Sequence, residues 1–122
     1  MAEPILSVHG VEKIYPDGTI ANHDVSFEVV PHSVHAIVGE NGAGKTTLMK
    51  ILFGMEQCQS GEVRFMGKLH HPASPHEAIR RGVGMVHQHL MLAPDLTVAE
   101  NLILGVEPLY KRLFLDRKRI SR

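Results

Sequence analysis

Apolar and polar residues alternate along the first third of the chain with the two-residue period of half-buried strands. Ile5-Leu6-Ser7-Val8-His9 and Val25-Ser26-Phe27-Glu28-Val29 read as two such strands. Gly10 is expected to close the first, and Tyr15-Pro16-Asp17-Gly18 supplies turn chemistry between them. Val34-His35-Ala36-Ile37-Val38 is mostly apolar and runs into Gly39, which predicts a buried strand. From Lys45 the period lengthens: Leu48, Ile51 and Leu52 fall on one helical face, and Gly54 sits where a helix ends. Glu62-Val63-Arg64-Phe65-Met66 alternates again up to Gly67. Ser74-Pro75-His76-Glu77 combines a capping serine, a first-turn proline and a glutamate three residues on, so a helix is predicted from there to Gly82. Val83-Gly84-Met85-Val86 reads as a short buried strand. Thr97-Val98-Ala99-Glu100 is a second capping box, with its helix predicted to reach about Gly105. Asp116 is expected to cap one more helix.

The runs 34–38 and 83–86 are separated by helical segments, the kind of connection a parallel pair needs. The early alternating strands predict a separate antiparallel layer. The class is therefore α/β with an antiparallel β portion.

Composition narrows the picture. The 122 residues suit one modest domain, and 43% hydrophobic with 21% charged residues is ordinary for a globular chain. Thirteen basic residues balance thirteen acidic ones, which leaves no electrostatic footprint for nucleic acid. A local basic run, Lys111-Arg112 and Arg117-Lys118-Arg119, reads as a solvated helix face. The single cysteine, Cys58, excludes an internal disulfide and fits a reducing compartment. Met1-Ala2-Glu3-Pro4 has no leader pattern, and no apolar run approaches the roughly 20 residues that span a bilayer.

The strongest chemical signal is Gly39-Glu40-Asn41-Gly42-Ala43-Gly44-Lys45-Thr46. It fits G-x-x-x-x-G-K-[ST], the phosphate-binding loop. Glycines let successive N–H groups turn inward on an anion, and the helix that follows adds its unpaired N–H groups and the positive end of its dipole. Lys45 brings a full charge toward the β- and γ-phosphates, Thr46 a hydroxyl for Mg²⁺, and Thr47 a contact on the α-phosphate side. A loop of this kind binds a nucleoside triphosphate only if it follows a strand and opens a helix, and the hydrophobic pattern predicts both.

With the loop placed, the segment from Gly39 to Gly54 resembles the first nucleotide site of an ABC-transporter ATPase. The segment from Gly82 to Gly105 resembles the Q-loop region of importers for simple sugars and purine nucleosides. The likeness runs from about Ile5 to Arg119. It implies a partial P-loop NTPase core with an antiparallel β subdomain in residues 1–88, and the start of a helical subdomain in residues 89–122. It implies ATP and Mg²⁺ as cofactors, with Gly39, Asn41, Gly42, Ala43, Gly44, Lys45, Thr46 and Thr47 holding the phosphates. Tyr15 matches the aromatic that stacks on adenine. Gln88 matches the glutamine that reaches Mg²⁺ and the attacking water, so Lys45 and Gln88 take catalytic roles and Thr46 and Gln88 metal-binding ones.

The resemblance also implies partners: transmembrane permease subunits met through the Q-loop region, a second ATPase unit supplying its signature loop, and an extracytoplasmic solute-binding protein engaged indirectly. The location implied is the cytoplasmic face of the membrane, as a peripheral subunit. After Gln88 the 122 residues carry no adjacent glycines and no Asp-Glu pair, so the signature and the second metal carboxylate of such ATPases are not among them. Leu113-Phe114-Leu115-Asp116 imitates an apolar run ending in aspartate, but it is followed by Arg117 and lies too close to Gln88. The expectation is a chain that binds ATP and hydrolyses it poorly. Two other readings stand beside it, a truncated, catalytically inactive ATP- or permease-binding fragment and a soluble ABC protein of DNA repair or translation. The neutral charge argues against the latter.

Nine histidines invite a metal reading, but His87-Gln88-His89 and His70-His71 offer pairs and not a ligand set. Leu90-Met91-Leu92 reads either as a contact patch or as packing for the helix after Thr97.

Overall fold

A computed structural model describes residues 2–89 and 92–102, and the backbone of 109–110 and 114–115. The chain forms two compact units, Met1–Met85 and Val86–Arg122.

The first unit is built on a four-stranded antiparallel sheet in the order β2-β1-β3-β4, with β1 Leu6–Ile14, β2 Ile20–Val29, β3 Ser60–Phe65 and β4 Lys68–Leu69. The predicted turn joins β1 to β2: Gly18 N–H donates to the Tyr15 carbonyl at 2.9 Å, and Asp17 Oδ1 accepts the Thr19 N–H at 2.9 Å. Both strands run longer than the alternation predicts, because each absorbs a bulge. Gly10 does not end β1. It takes a left-handed φ of 57° and adds one residue between the Val8↔Phe27 and Val11↔Val25 pairs. Asp24, at φ 48°, lies where β2 has an extra residue between Val25 and Asn22. Each bulge moves the following side chains to the opposite face.

Helix α1, Lys45–Leu52, lies on the sheet. Its Leu48, Ile51 and Leu52 join Val8, Val11 and Val63 in one buried cluster, flanked by Leu6, Val25, Phe27, Met49 and Cys58. Eight residues are too few for a helix to persist alone. Each buried aliphatic side chain contributes about 1.5–3 kcal/mol relative to exposure, and that packing holds the helix. Its end is fixed by Gly54 at φ 79°, as the sequence predicts, and by His70, whose Nε2 lies 2.8 Å from the Leu52 carbonyl. Helix α2, Pro75–Arg80, starts at the predicted cap: Ser74 Oγ accepts the Glu77 N–H at 3.3 Å and Glu77 Oε2 accepts the Ala73 N–H at 2.8 Å.

Two expectations are corrected. Residues 34–38 and 83–86 belong to no ladder among the described residues, and much of each run is exposed: Val34 is 99%, Val38 91% and Val86 86% exposed. A strand exists only where a neighbour accepts its backbone groups. All pairing observed in the first unit is antiparallel.

In the second unit the Thr97 capping box forms in full. Thr97 Oγ1 accepts the Glu100 N–H at 3.2 Å and Glu100 Oε2 accepts the Thr97 N–H at 2.9 Å, opening α3, Val98–Leu102. Asn101 folds back on the preceding loop. Its Oδ1 accepts the Ala93 N–H at 2.9 Å, and its Nδ2 lies 3.0–3.2 Å from the Ala93, Leu96 and Thr97 carbonyls. Two short strands, β5 Leu109–Tyr110 and β6 Phe114–Leu115, pair antiparallel. The continuation of α3 toward Gly105, the Asp116 cap, and Leu90 and Met91 lie outside the described residues. Among the described residues no helix is long and apolar enough to cross a membrane.

Candidate phosphate-binding site

The predicted loop opens α1. Gly44 is the N-cap residue at φ 88° and ψ 8°, a left-handed conformation, and no side chain caps the helix there. The N–H groups of the first turn, those of Lys45, Thr46 and Thr47, have no acceptor inside the helix. No acidic residue stands in that turn to answer the positive end of the dipole. Gly42 is also left-handed, at φ 84°, with open space where a side chain would project. The loop tightens through the Ala43 N–H, which donates to the Glu40 carbonyl at 3.2 Å.

Gly44 is glycine for a second reason. A Cβ built there would stand 1.9 Å from the Ala21 carbonyl oxygen and 2.8 Å from Asn22 Nδ2. β2 thus presses directly on the start of α1.

Lys45 crosses the loop. Its Nζ donates to the Gly39 and Glu40 carbonyls, each at 2.6 Å. Asn41, Thr46 and the loop glycine Gly42 are exposed, and Thr47 is half-buried. The Tyr15 hydroxyl lies 3.2 Å from Thr47 Oγ1, so the β1–β2 turn brings the predicted aromatic to the first turn of α1. Tyr15 is braced in turn by Lys13, whose Nζ lies 5.2 Å from the ring centroid, 3.1 Å from Glu56 Oε2 and 2.8 Å from the Gln57 carbonyl. In the same turn the Thr19 N–H and hydroxyl hold the Asp17 carboxyl below its ordinary range. A glycine cradle, an uncapped helix start, one lysine and adjacent hydroxyls form a donor set that suits a polyphosphate with its Mg²⁺. Gln88 lies in the second unit, exposed on a bend.

Two residues escaped the sequence reading, Asn22 and Lys13, and a third, His70, is singled out there only as half of a histidine pair. Asn22 is buried against Gly44, with Nδ2 donating to the Gly44 carbonyl at 3.1 Å. Lys13, 9% exposed, carries no motif in the sequence. His70 is 2% exposed, with its Nε2 at the Leu52 carbonyl at the end of α1; among the described residues no group of three His, Cys, Asp or Glu side chains that could hold a metal occurs. Nothing in local sequence marks Asn22 or Lys13, because bulges in β1 and β2 set the phase that turns them inward.

Comparison with known proteins gives the family of the chain. The ABC transporter family profile matches residues 22–121. A guanosine import ATP-binding protein of Bacillus subtilis, NupO, is 47% identical over 120 residues, which is 98% of this chain and 23% of that protein. A glucose import ATP-binding protein of Haloferax volcanii, TsgD13, is 48% identical over 103 residues, 84% of this chain and 18% of that protein. The chain therefore spans less than a quarter of the length of these relatives. The crystal structure of a nucleotide-free ATP-binding cassette from an ABC transporter superposes with a TM-score of 0.77 at 30% identity, over 85% of this chain and 41% of that one. The profile takes in the loop that opens α1 and most of the chain, and the chain belongs to the ABC transporter family.

Proposed function

We propose that this chain is the phosphate-binding part of an ATP-binding subunit that energises import of a small polar solute, a sugar or a nucleoside. The observation that carries the reading is the loop 39–46, opening an uncapped helix with Gly44 seated on β2 and Tyr15 at Thr47. The import function and the solute class rest on the names of the guanosine and glucose relatives.

In this reading Gly39, Asn41, Gly42, Ala43 and Gly44 cradle the phosphates with backbone N–H groups, and Thr47 adds a contact. Lys45 exchanges two neutral carbonyl acceptors for charged phosphate oxygens, which are stronger acceptors. Thr46 and Gln88 are the residues that would hold Mg²⁺, and the ion would supply charge neutralisation at the phosphoryl group. Gln88 orients the attacking water, and Tyr15 stacks on adenine. The Q-loop region around Gln88 docks on a permease at the cytoplasmic membrane face. A second ATPase unit completes the site with its signature loop, and an extracytoplasmic solute-binding protein delivers the solute to the permease.

The 122 residues taken alone bind ATP and turn it over poorly, since no Asp-Glu pair or paired glycines follow Gln88. Thermal unfolding with and without Mg²⁺–ATP, beside Lys45→Ala, tests this. Nucleotide at about 100 times its dissociation constant adds about 2.7 kcal/mol to a folded site. A shift lost in Lys45→Ala supports the reading, and a cooperative transition with no shift in the wild type refutes it. Turnover above the Lys45→Ala background refutes the poor-hydrolysis part.

A further inference from the structure

β2 reaches the loop at two consecutive residues. The Ala21 carbonyl fills the space a Gly44 side chain would need, and Asn22 Nδ2 donates to the Gly44 carbonyl at 3.1 Å. That carbonyl also accepts the Leu48 N–H at 3.0 Å, so both its lone pairs are engaged. The opposite orientation of the Asn22 amide would set oxygen against oxygen. Asn22 is 5% exposed, and its Oδ1 is buried with no hydrogen-bond partner among the described residues.

An asparagine with half its amide stranded is a poor choice for packing, since a leucine fills similar volume with nothing to desolvate. What the amide alone supplies is the donor. In a trans peptide the carbonyl and the next N–H point in opposite directions, and this chain has no cis bonds among its described residues. Holding the Gly44 oxygen toward β2 therefore aims the Lys45 N–H away from the sheet.

We propose that Asn22 is a positioning residue for the phosphate site: by gripping the Gly44 carbonyl it orients the Gly44–Lys45 peptide, so that the Lys45 N–H is presented to phosphate before any ligand arrives. The proposal rests on the nucleotide reading above and deepens it. Asn22 acts on the polyphosphate and not on the base. Tyr15, touching Thr47 from the neighbouring turn, acts on the base.

The test titrates the wild-type chain, Asn22→Leu and Tyr15→Ala with Mg²⁺–ATP and with Mg²⁺ and inorganic tripolyphosphate, by calorimetry. Unfolding midpoints are read without ligand. Asn22→Leu should weaken both ligands by the same factor, about three- to tenfold, the worth of one hydrogen bond. Its ligand-free midpoint should stay at or above that of the wild type. Tyr15→Ala should weaken ATP alone. In the wild type, the Asn22 side-chain amide resonances should move on saturation with tripolyphosphate. Unchanged affinity for both ligands in Asn22→Leu overturns the proposal and leaves the nucleotide reading standing. Should Asn22→Leu fail to fold, the wild-type resonances decide, and resonances unmoved at saturation overturn it. A folded wild type that binds neither ligand overturns the nucleotide reading and this proposal with it.

Discussion

Gly44 carries two demands at one position, a left-handed backbone and contact with the Ala21 carbonyl. Gly44→Ala meets both penalties, strain at positive φ and overpacking against backbone that has little room to yield. It should cost about 2–4 kcal/mol, read as a lower urea midpoint, and should abolish the ATP-induced shift. Glu77 is a gentler case. The Ala73 N–H first, and the Arg81 guanidinium with it, hold its carboxyl below the ordinary 4.5. A depressed folded-state pKa stabilises above the unfolded value and is lost as pH falls through the folded one. The thermal midpoint should therefore drop as pH falls below about 4.5, and Glu77→Gln should shallow that drop in a melting series. At this scale the loop was legible because its residues are contiguous. Asn22 was not, because its importance lies in what β2 touches.

Among the elements, both capping boxes were legible, since a cap is a local contract between residues three apart. Asn101 shows the opposite. It stands within α3, yet its side chain ties down the loop from Ala93 to Thr97. Asn101→Ala strands several polar groups of that loop and should cost about 1–3 kcal/mol locally. Hydrogen exchange checks this: the Leu96 and Asn101 amides should lose protection while those of β1 and β3 keep theirs. The same contrast holds in the sheet. The strands 5–9 and 25–29 were predicted by alternation, but their true lengths depend on bulges at Gly10 and Asp24 that let the ladder continue.

For the molecule as a whole, the apolar run 34–38 stands on the surface, with Val34 and Val38 almost fully exposed. An unpaired apolar segment invites association. Val38→Lys should therefore leave the unfolding midpoint within about 0.5 kcal/mol of wild type, since it removes no packing. It should raise the concentration at which the chain self-associates, measured by sedimentation. An unchanged association threshold would show that this run is not the sticky surface.

The sequence by itself determined the loop 39–46, the helix it opens, the caps at Ser74 and Thr97 and the turn at 15–18. Each is specified by residues within a few positions of one another, and short-range sterics and hydrogen bonds act within that span. Tertiary structure decided the phase of β1 and β2, the inward turn of Lys13 and Asn22, the burial of His70 under α1, and, among the described residues, the absence of a ladder at 34–38 and 83–86. Pairing and burial depend on which distant backbone is available as a neighbour. A hydrophobic pattern states which face seeks cover, and only the assembled chain supplies the cover.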